Sequence, residues 1–353
     1  MESFGVQDMP VKSALSQIRK RIHFTFFEDL FKELLQGFES KRSTLNGLRI
    51  YAVDGVQLLL PRTADLVKHG FSGRAVSKYR DTYYPRMYLT HAYDVLSGVT
   101  KDLRYHSVLN EIADAVEMVA GFEKNSLTLY DRLYVCKKLV LAHFERGNYF
   151  LFRCRRAGVP KAISNFFSSH KKFASFTWPG TKVRVYLIKV KNSKTGKHDV
   201  FATNLPKSWQ IEEKIKDLYA LRWEVETSFR DLTETLKIEQ WHSKSLNGIL
   251  QELYVSFWLW NYSKIHARFR DKKTENPLDP TYTKPNYKLI LALIIRLFPR
   301  ILKRTRGVLK SLETLMNLST EHRRRRSRHY KRELKTPRSP YPYNNTGWTW
   351  DFK

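Results

Sequence analysis

Acidic residues are scarce in this 353-residue chain: 34 Asp and Glu stand against 63 Lys and Arg, a formal net charge of +29. Such a field repels cationic partners and draws in polyanions, which argues against a generic metabolic enzyme. Cysteine is nearly absent. Cys136 and Cys154 cannot build a disulfide framework, so a reducing cytoplasm is the expected compartment. Long apolar runs are missing as well. The longest, 253–260 and 289–295, fall short of the roughly 18 apolar residues of a membrane span. The opening MESFGVQDMPVKSALS has no basic-then-apolar signal pattern. No Walker or dinucleotide glycine motif is found, so no nucleotide cofactor is implied. The His and Cys residues show no zinc spacing, and no internal repeat is visible. Nucleic acid is therefore expected as partner ahead of a membrane surface.

What is present is enough for a full core. Hydrophobic residues make up 42% and aromatics 14%, which excludes a disordered polymer. Residues 11–37 carry two short helical stripes. RIYAV at 49–53 predicts a strand, closed by a turn at Asp54-Gly55. Two further strand-like runs lie within 86–104, and 108–120 has helical spacing. SLTLY at 126–130 is a strand ending at Asp131, 134–146 a helix, and NYFLFRC at 148–154 a strand. The order is strand, strand, strand, helix, strand, helix, strand, which is that of a ribonuclease-H-like core. Two alternating strands around a turn at 192–196 predict a β-hairpin on an inserted β-rich subdomain. Ile211, Ile215, Leu218, Val225, Phe229, Leu232 and Leu236 then repeat at helical intervals, so 208–237 reads as one long amphipathic helix. Helices are also expected at 246–268 and 286–303.

These elements predict an α/β fold: a ribonuclease-H-like core with an inserted β-rich subdomain and helical N- and C-terminal additions. The segments are a helical stretch at 1–46, the first part of the catalytic core at 47–154, the hairpin insertion at 155–207, core helices at 208–303 and a basic tail at 304–353. The tail includes Arg323, Arg324, Arg325 and Arg326, which can track phosphates or simply be solvated. The 322–332 stretch holds seven Lys or Arg; removing them from +29 still leaves +22. Most of the charge therefore lies elsewhere.

Three acids stand out by position: Asp54 after the first strand, Asp131 after the fourth and Glu226 midway along the long helix. In such a core the first and fourth strands are neighbours, so both aspartates would point into one site. Three converging carboxylates repel one another, and a divalent cation resolves that cost. A metal pair so held can activate water or a 3′-hydroxyl at a phosphodiester. Each acid also has a plainer role: a turn pair for Asp54-Gly55, a strand-end turn for Asp131-Arg132, a surface ion pair for Glu226 with Arg222. At about 100° per residue, Tyr219, Arg222, Glu226 and Lys237 share a stripe beside the buried face, with Arg230 at its margin. Cations and a phenol beside a carboxylate suit a phosphate backbone.

On these residues the chain resembles bacterial insertion-sequence transposases of the DDE type, in the family with a Tyr-Arg-Glu-Lys signature. The signature Y-x2-R-x3-E-x6-K is met by Tyr219, Arg222 and Glu226, with Thr233 where the Lys should stand. AVDGVQLLLP, with Asp54, resembles the segment of the family's first acid, and DRLY, with Asp131, that of its second. The hairpin ending TNL at 203–205 resembles the family's β-strand insertion. The resemblance implies an enzyme that cleaves insertion-sequence ends and transfers the strand to target DNA. Asp54, Asp131 and Glu226 would hold Mg²⁺, with Mn²⁺ a substitute, and Tyr219 and Arg222 would contact phosphates. It also implies double-stranded DNA as partner, a DNA-induced homodimer and no membrane. Two departures stand out. Thr233 replaces the signature Lys, for which Lys237 or Arg230 would substitute. Only 53 residues precede Asp54, fewer than usual in the family, which is expected of a truncated or decayed DNA-end-binding region. The alternatives are an inactive relative kept as a DNA-binding protein and a ribonuclease-H-like nuclease that cuts without joining.

Overall fold

The computed structural model describes residues 12–71, 75–77, 80–81, 85–191, 196, 198–271 and 283–322. The chain begins with α1 (Lys12–Arg21) and α2 (Thr25–Phe38), then forms β1 (Arg49–Leu59). α3 (Ala64–Lys68) and two short strands, β2 (Ala75–Ser77) and β3 (Arg80–Asp81), precede a meander of β4 (Arg86–Asp94) and β5 (Val99–His106). α4 (Glu111–Ala120), β6 (Ser126–Tyr130), α5 (Lys137–Arg146) and β7 (Tyr149–Arg153) alternate next. α6 (Lys161–Ser168) leads to β8 (Phe173–Thr177), β9 (Arg184–Lys191) and β10 (His198–Thr203). The rest is mainly helical: α7 (Glu212–Ala220), α8 (Trp223–Glu234), α9 (Leu246–Asp271), β11 (Thr283–Pro285), α10 (Tyr287–Leu302), α11 (Val308–Leu318) and β12 (Thr320–His322). The described residues divide into two units. One draws on Leu35–Leu58 and Arg86–Asp231, the other on Met1–Leu34, Leu59–Pro85 and Leu232–Lys353.

The first unit is built on a mixed sheet in the order β5-β4-β1-β6-β7-β10-β9-β8. Its centre is parallel: β1 pairs with β6 and β6 with β7. Parallel strands are covered on both faces and read as nearly continuous apolar runs. Ile50, Tyr51, Ala52 and Val53 in β1 are accordingly buried, as is every residue of β6. Tyr51, Val53, Tyr130, Phe150 and Phe152 share one core cluster with Val119 and Met118 of α4 and Leu139 and Val140 of α5. α5 stops at Gly147, whose φ of 72° suits the left-handed cap.

Two sequence expectations are corrected here, and a third is met in part. The turn at Asp54-Gly55 is absent, because β1 runs on to Leu59. The expected hairpin forms as β9 and β10, and its strands extend the main sheet. β10 pairs antiparallel with β7, Phe201 opposite Arg153 and Thr203 opposite Leu151. Val200, Phe201 and Ala202 are buried, so this strand needs sheet cover on both faces. The single helix over 208–237 is broken. Around Leu221 the bonds run three residues back: Leu221 N to Leu218 O, Arg222 N to Tyr219 O, Val225 N to Arg222 O. That tighter winding is a 3₁₀ turn between α7 and α8.

In the second unit, polar groups tie the end of α1 and the turn after it to α9. Arg19 donates to Gln251 Oε1 at 3.1 Å and to the Gly248 carbonyl at 2.9 Å. Asn247 accepts from the Phe24 amide at 2.8 Å and donates to the Ile22 carbonyl at 2.9 Å. Ala267, Ile290, Ile294, Leu312 and Met316 form a smaller core where α9, α10 and α11 pack. Among the described residues no helix is long and apolar enough to cross a membrane.

Candidate active site

Strand register sets the first two acids beside each other. Ala52 of β1 lies opposite Leu129 of β6. Side chains alternate with a period of two, so two residues further along each chain come Asp54 and Asp131, at the same end of adjacent strands. Asp54 is partly buried in mid-strand, and its Oδ1 accepts from the Gly55 amide at 3.1 Å. Asp131 has a second job at the strand end. Its Oδ1 accepts from the Leu133 amide at 2.8 Å and caps the 3₁₀ turn 132–134.

Glu226 comes from the first turn of α8 and is linked to Asp54 through Arg222. The buried guanidinium places Nη1 3.5 Å from Asp54 Oδ2, while Nη2 donates to Glu226 Oε1. The expected surface ion pair thus exists, but it is sunk into the fold and shared with a third residue. Arg222 Nε is buried too, with no partner among the described residues. The guanidinium carbon stands 5.7 Å from the centre of the Tyr219 ring, whose other neighbour is Phe201 at 4.8 Å. Tyr219 comes to this place from the end of α7, Arg222 from the break itself and Glu226 from α8.

Electrostatics tie the set together. Burial pushes the Asp54 carboxyl up to about 6; Arg222 and the Gly55 amide oppose the rise, and the charges of Glu226 and Asp131 add to it. Burial likewise pushes the Tyr219 phenol up to about 12, with Asp131 adding and Arg222 and Arg153 opposing. Asp131 and Glu226 are therefore both close enough for their charge to be felt at Asp54. With the guanidinium between Asp54 and Glu226, no three Asp, Glu, His or Cys groups among the described residues are close enough to enclose a metal ion. The donor chemistry nonetheless fits a hard divalent cation. The three side chains are carboxylates, and a positive guanidinium already stands between two of them.

The remaining expected site residues are not gathered in this way. Arg230 is exposed on α8. Lys237 is exposed and lies beyond α8, which ends at Glu234; its φ is 51° and the Ile238 amide turns back to the Leu232 carbonyl at 3.3 Å. The helical stripe invoked for Lys237 therefore stops before reaching it. Arg323, Arg324, Arg325 and Arg326 lie outside the described residues. Glu111, at the start of α4, gave no signal in the sequence. Its partly buried carboxyl nevertheless lies against Gly55 and accepts from Tyr134 Oη at 3.4 Å.

The model of the family described as Transposase DDE domain matches residues 45–262, a span that contains Asp54, Asp131 and Glu226. The chain is 28% identical over 178 residues to Putative transposase InsZ of Escherichia coli (strain K12), covering 48% of this chain and 56% of that protein. It also aligns with a chain of the piggyBac transposase synaptic complex with hairpin DNA. That alignment has a TM-score of 0.42 and 11% identity over 76% of this chain and 57% of the other. The chain thus spans little more than half the length of either relative.

Proposed function

Since the chain belongs to the transposase DDE-domain family, we propose that it is a DNA transposase acting through Asp54, Asp131 and Glu226 on a ribonuclease-H-like core. It would cleave insertion-sequence ends and join the freed 3′-hydroxyl to target DNA. The observation that carries this reading is the Arg222 guanidinium bonded to both Asp54 and Glu226, with the charge of Asp131 felt at the same carboxyl. Residues far apart in sequence meet there, and their structural roles, a cap for Asp131 and a shared guanidinium for Asp54 and Glu226, leave carboxylate oxygens over.

Asp54, Asp131 and Glu226 would hold Mg²⁺, or Mn²⁺ in its place. When bound, the cation supplies an activated oxygen nucleophile and stabilises the leaving oxygen. The protein's own residues do the rest. Arg222 holds two carboxylates near each other by offering them a fork of donors. Its Nε is buried and meets no acceptor among the described residues. Tyr219 stays protonated across the physiological range, because burial holds its phenol near 12, so it can donate to a phosphate but not act as a base. Arg230, Lys237 and Arg323–Arg326 would add backbone contacts, and DNA would bring two copies of the chain together. A net charge of +29 suits such a partner and implies binding that weakens steeply with salt.

Joining separates this reading from that of a nuclease. Incubated with Mg²⁺, a DNA fragment carrying the element's terminal repeats and a supercoiled target should give covalently joined product. Nicked fragments without any joined product would favour a nuclease instead.

A further inference from the structure

Gly55 has no Cβ, and the space one would occupy is filled. A Cβ built on its backbone would stand 2.7 Å from Glu111 Cγ and closer still to the carboxyl group. Any side chain at 55 would expel Glu111. The Glu111 carboxyl therefore rests on the backbone of the residue that follows Asp54. It is held from the other side by Tyr134 Oη at 3.4 Å. Tyr134 is buried and ends the 3₁₀ turn capped by Asp131. Glu111 thus spans the two aspartates, touching the neighbour of one and a residue of the turn that the other caps.

The helix dipole accounts for an acid in the first turn of α4, but not for its direction. A glutamate serving the dipole alone would extend into water. This one is folded back, although burial raises its pKa; the Tyr134 hydrogen bond opposes that rise, and the charges of Asp114 and Asp131 add to it. Turning a carboxylate towards other carboxylates is unfavourable unless positive charge is placed among them.

We propose that Glu111 is a fourth carboxylate of the Asp54 site, a positioning residue that adds negative charge facing the divalent cation and so sets the site's affinity for it. This rests on the reading of Asp54, Asp131 and Glu226 as the cation-holding set. Gly55 is then the residue that admits Glu111 to the site.

The test is Mn²⁺ binding to the full chain without DNA, measured by calorimetry. Glu111→Gln keeps the shape and removes the charge, and is expected to weaken binding roughly tenfold, as loss of an outer partner of a metal site does. Its urea midpoint should stay at or above that of the parent, since a repelling charge has gone; a purely structural Glu111 would lower it. Gly55→Ala, which evicts Glu111 with its charge intact, should weaken Mn²⁺ binding in the same direction. Asp54→Asn in the same assay distinguishes the two levels of the proposal. If Asp54→Asn weakens binding and Glu111→Gln binds like the parent, the role of Glu111 is overturned while the site stands. If neither change weakens binding, both are overturned.

Discussion

Arg222 shows how much a single residue's setting can change its meaning. Four positions before Glu226 on a helix, it reads as half of a surface pair worth little. In the fold its side chain is 9% exposed and reaches Asp54 as well. Removing it should cost more than an exposed pair and less than a fully buried one, because Glu226 remains 35% exposed. Arg222→Gln is expected to lower unfolding free energy by about 2 kcal/mol, measured by urea titration, and to abolish end cleavage. Arg222→Lys should regain part of the stability but not cleavage, since the two-pronged fork is lost. His91 provides a second, independent reading at this scale. Its ring stacks on Phe229 of α8 at 4.0 Å, and burial pushes its pKa down to about 3. In the unfolded chain the same ring takes up a proton near 6.5. The unfolded state therefore binds more protons between those values, and stability falls as pH drops through that window, at up to about tenfold in the folded-to-unfolded ratio per pH unit. Urea midpoints measured from pH 7 to pH 4 should fall, and His91→Phe should flatten the slope.

Among the elements, the strands and helices of the first unit were largely legible, because parallel strands demand apolar runs and the helices between them keep a regular stripe. β6, fully buried as SLTLY, and β7 are examples. The breaks were not legible. α7 and α8 part at Leu221 with neither Gly nor Pro, and α8 ends before Lys237 in the same way; only local hydrogen bonding marks either point. Asp54-Gly55 looked like a turn because Gly is usually a turn signal, whereas here its missing Cβ makes room for Glu111. A polar network was also unreadable from spacing. Arg42, on the segment after α2, donates to Asp94 of β4 at 2.8 Å and to Glu123 at 2.9 Å, and bonds Tyr51 of β1 at 2.5 Å. The Arg42 and Asp94 side chains are both wholly buried. Arg42→Met would strand the Asp94 carboxylate, at an expected cost of about 3–5 kcal/mol. Urea unfolding checks this, and a loss below about 1 kcal/mol would show that the network does not anchor these strands.

At the level of the whole molecule, the shortage of acids and the placing of the few that matter belong together. A chain with +29 net charge gathers carboxylates at one sheet end, where a guanidinium already stands between two of them. Asp54, Asp131 and Glu226 stood out in sequence by their places on strand-like and helical runs. Glu111, proposed as their companion, did not, since a helix-start glutamate looks the same whether it faces water or a site. Cation-assisted cleavage of DNA at this site is checked by Mg²⁺-dependent nicking of a DNA fragment bearing the element's terminal repeats, with the parent chain and Asp131→Asn compared at equal concentration and equal thermal stability. The expected result is nicking by the parent and a fall of at least about a thousandfold in the variant, the scale on which losing a group central to catalysis is felt. Equal nicking by both proteins would contradict the assignment of the site.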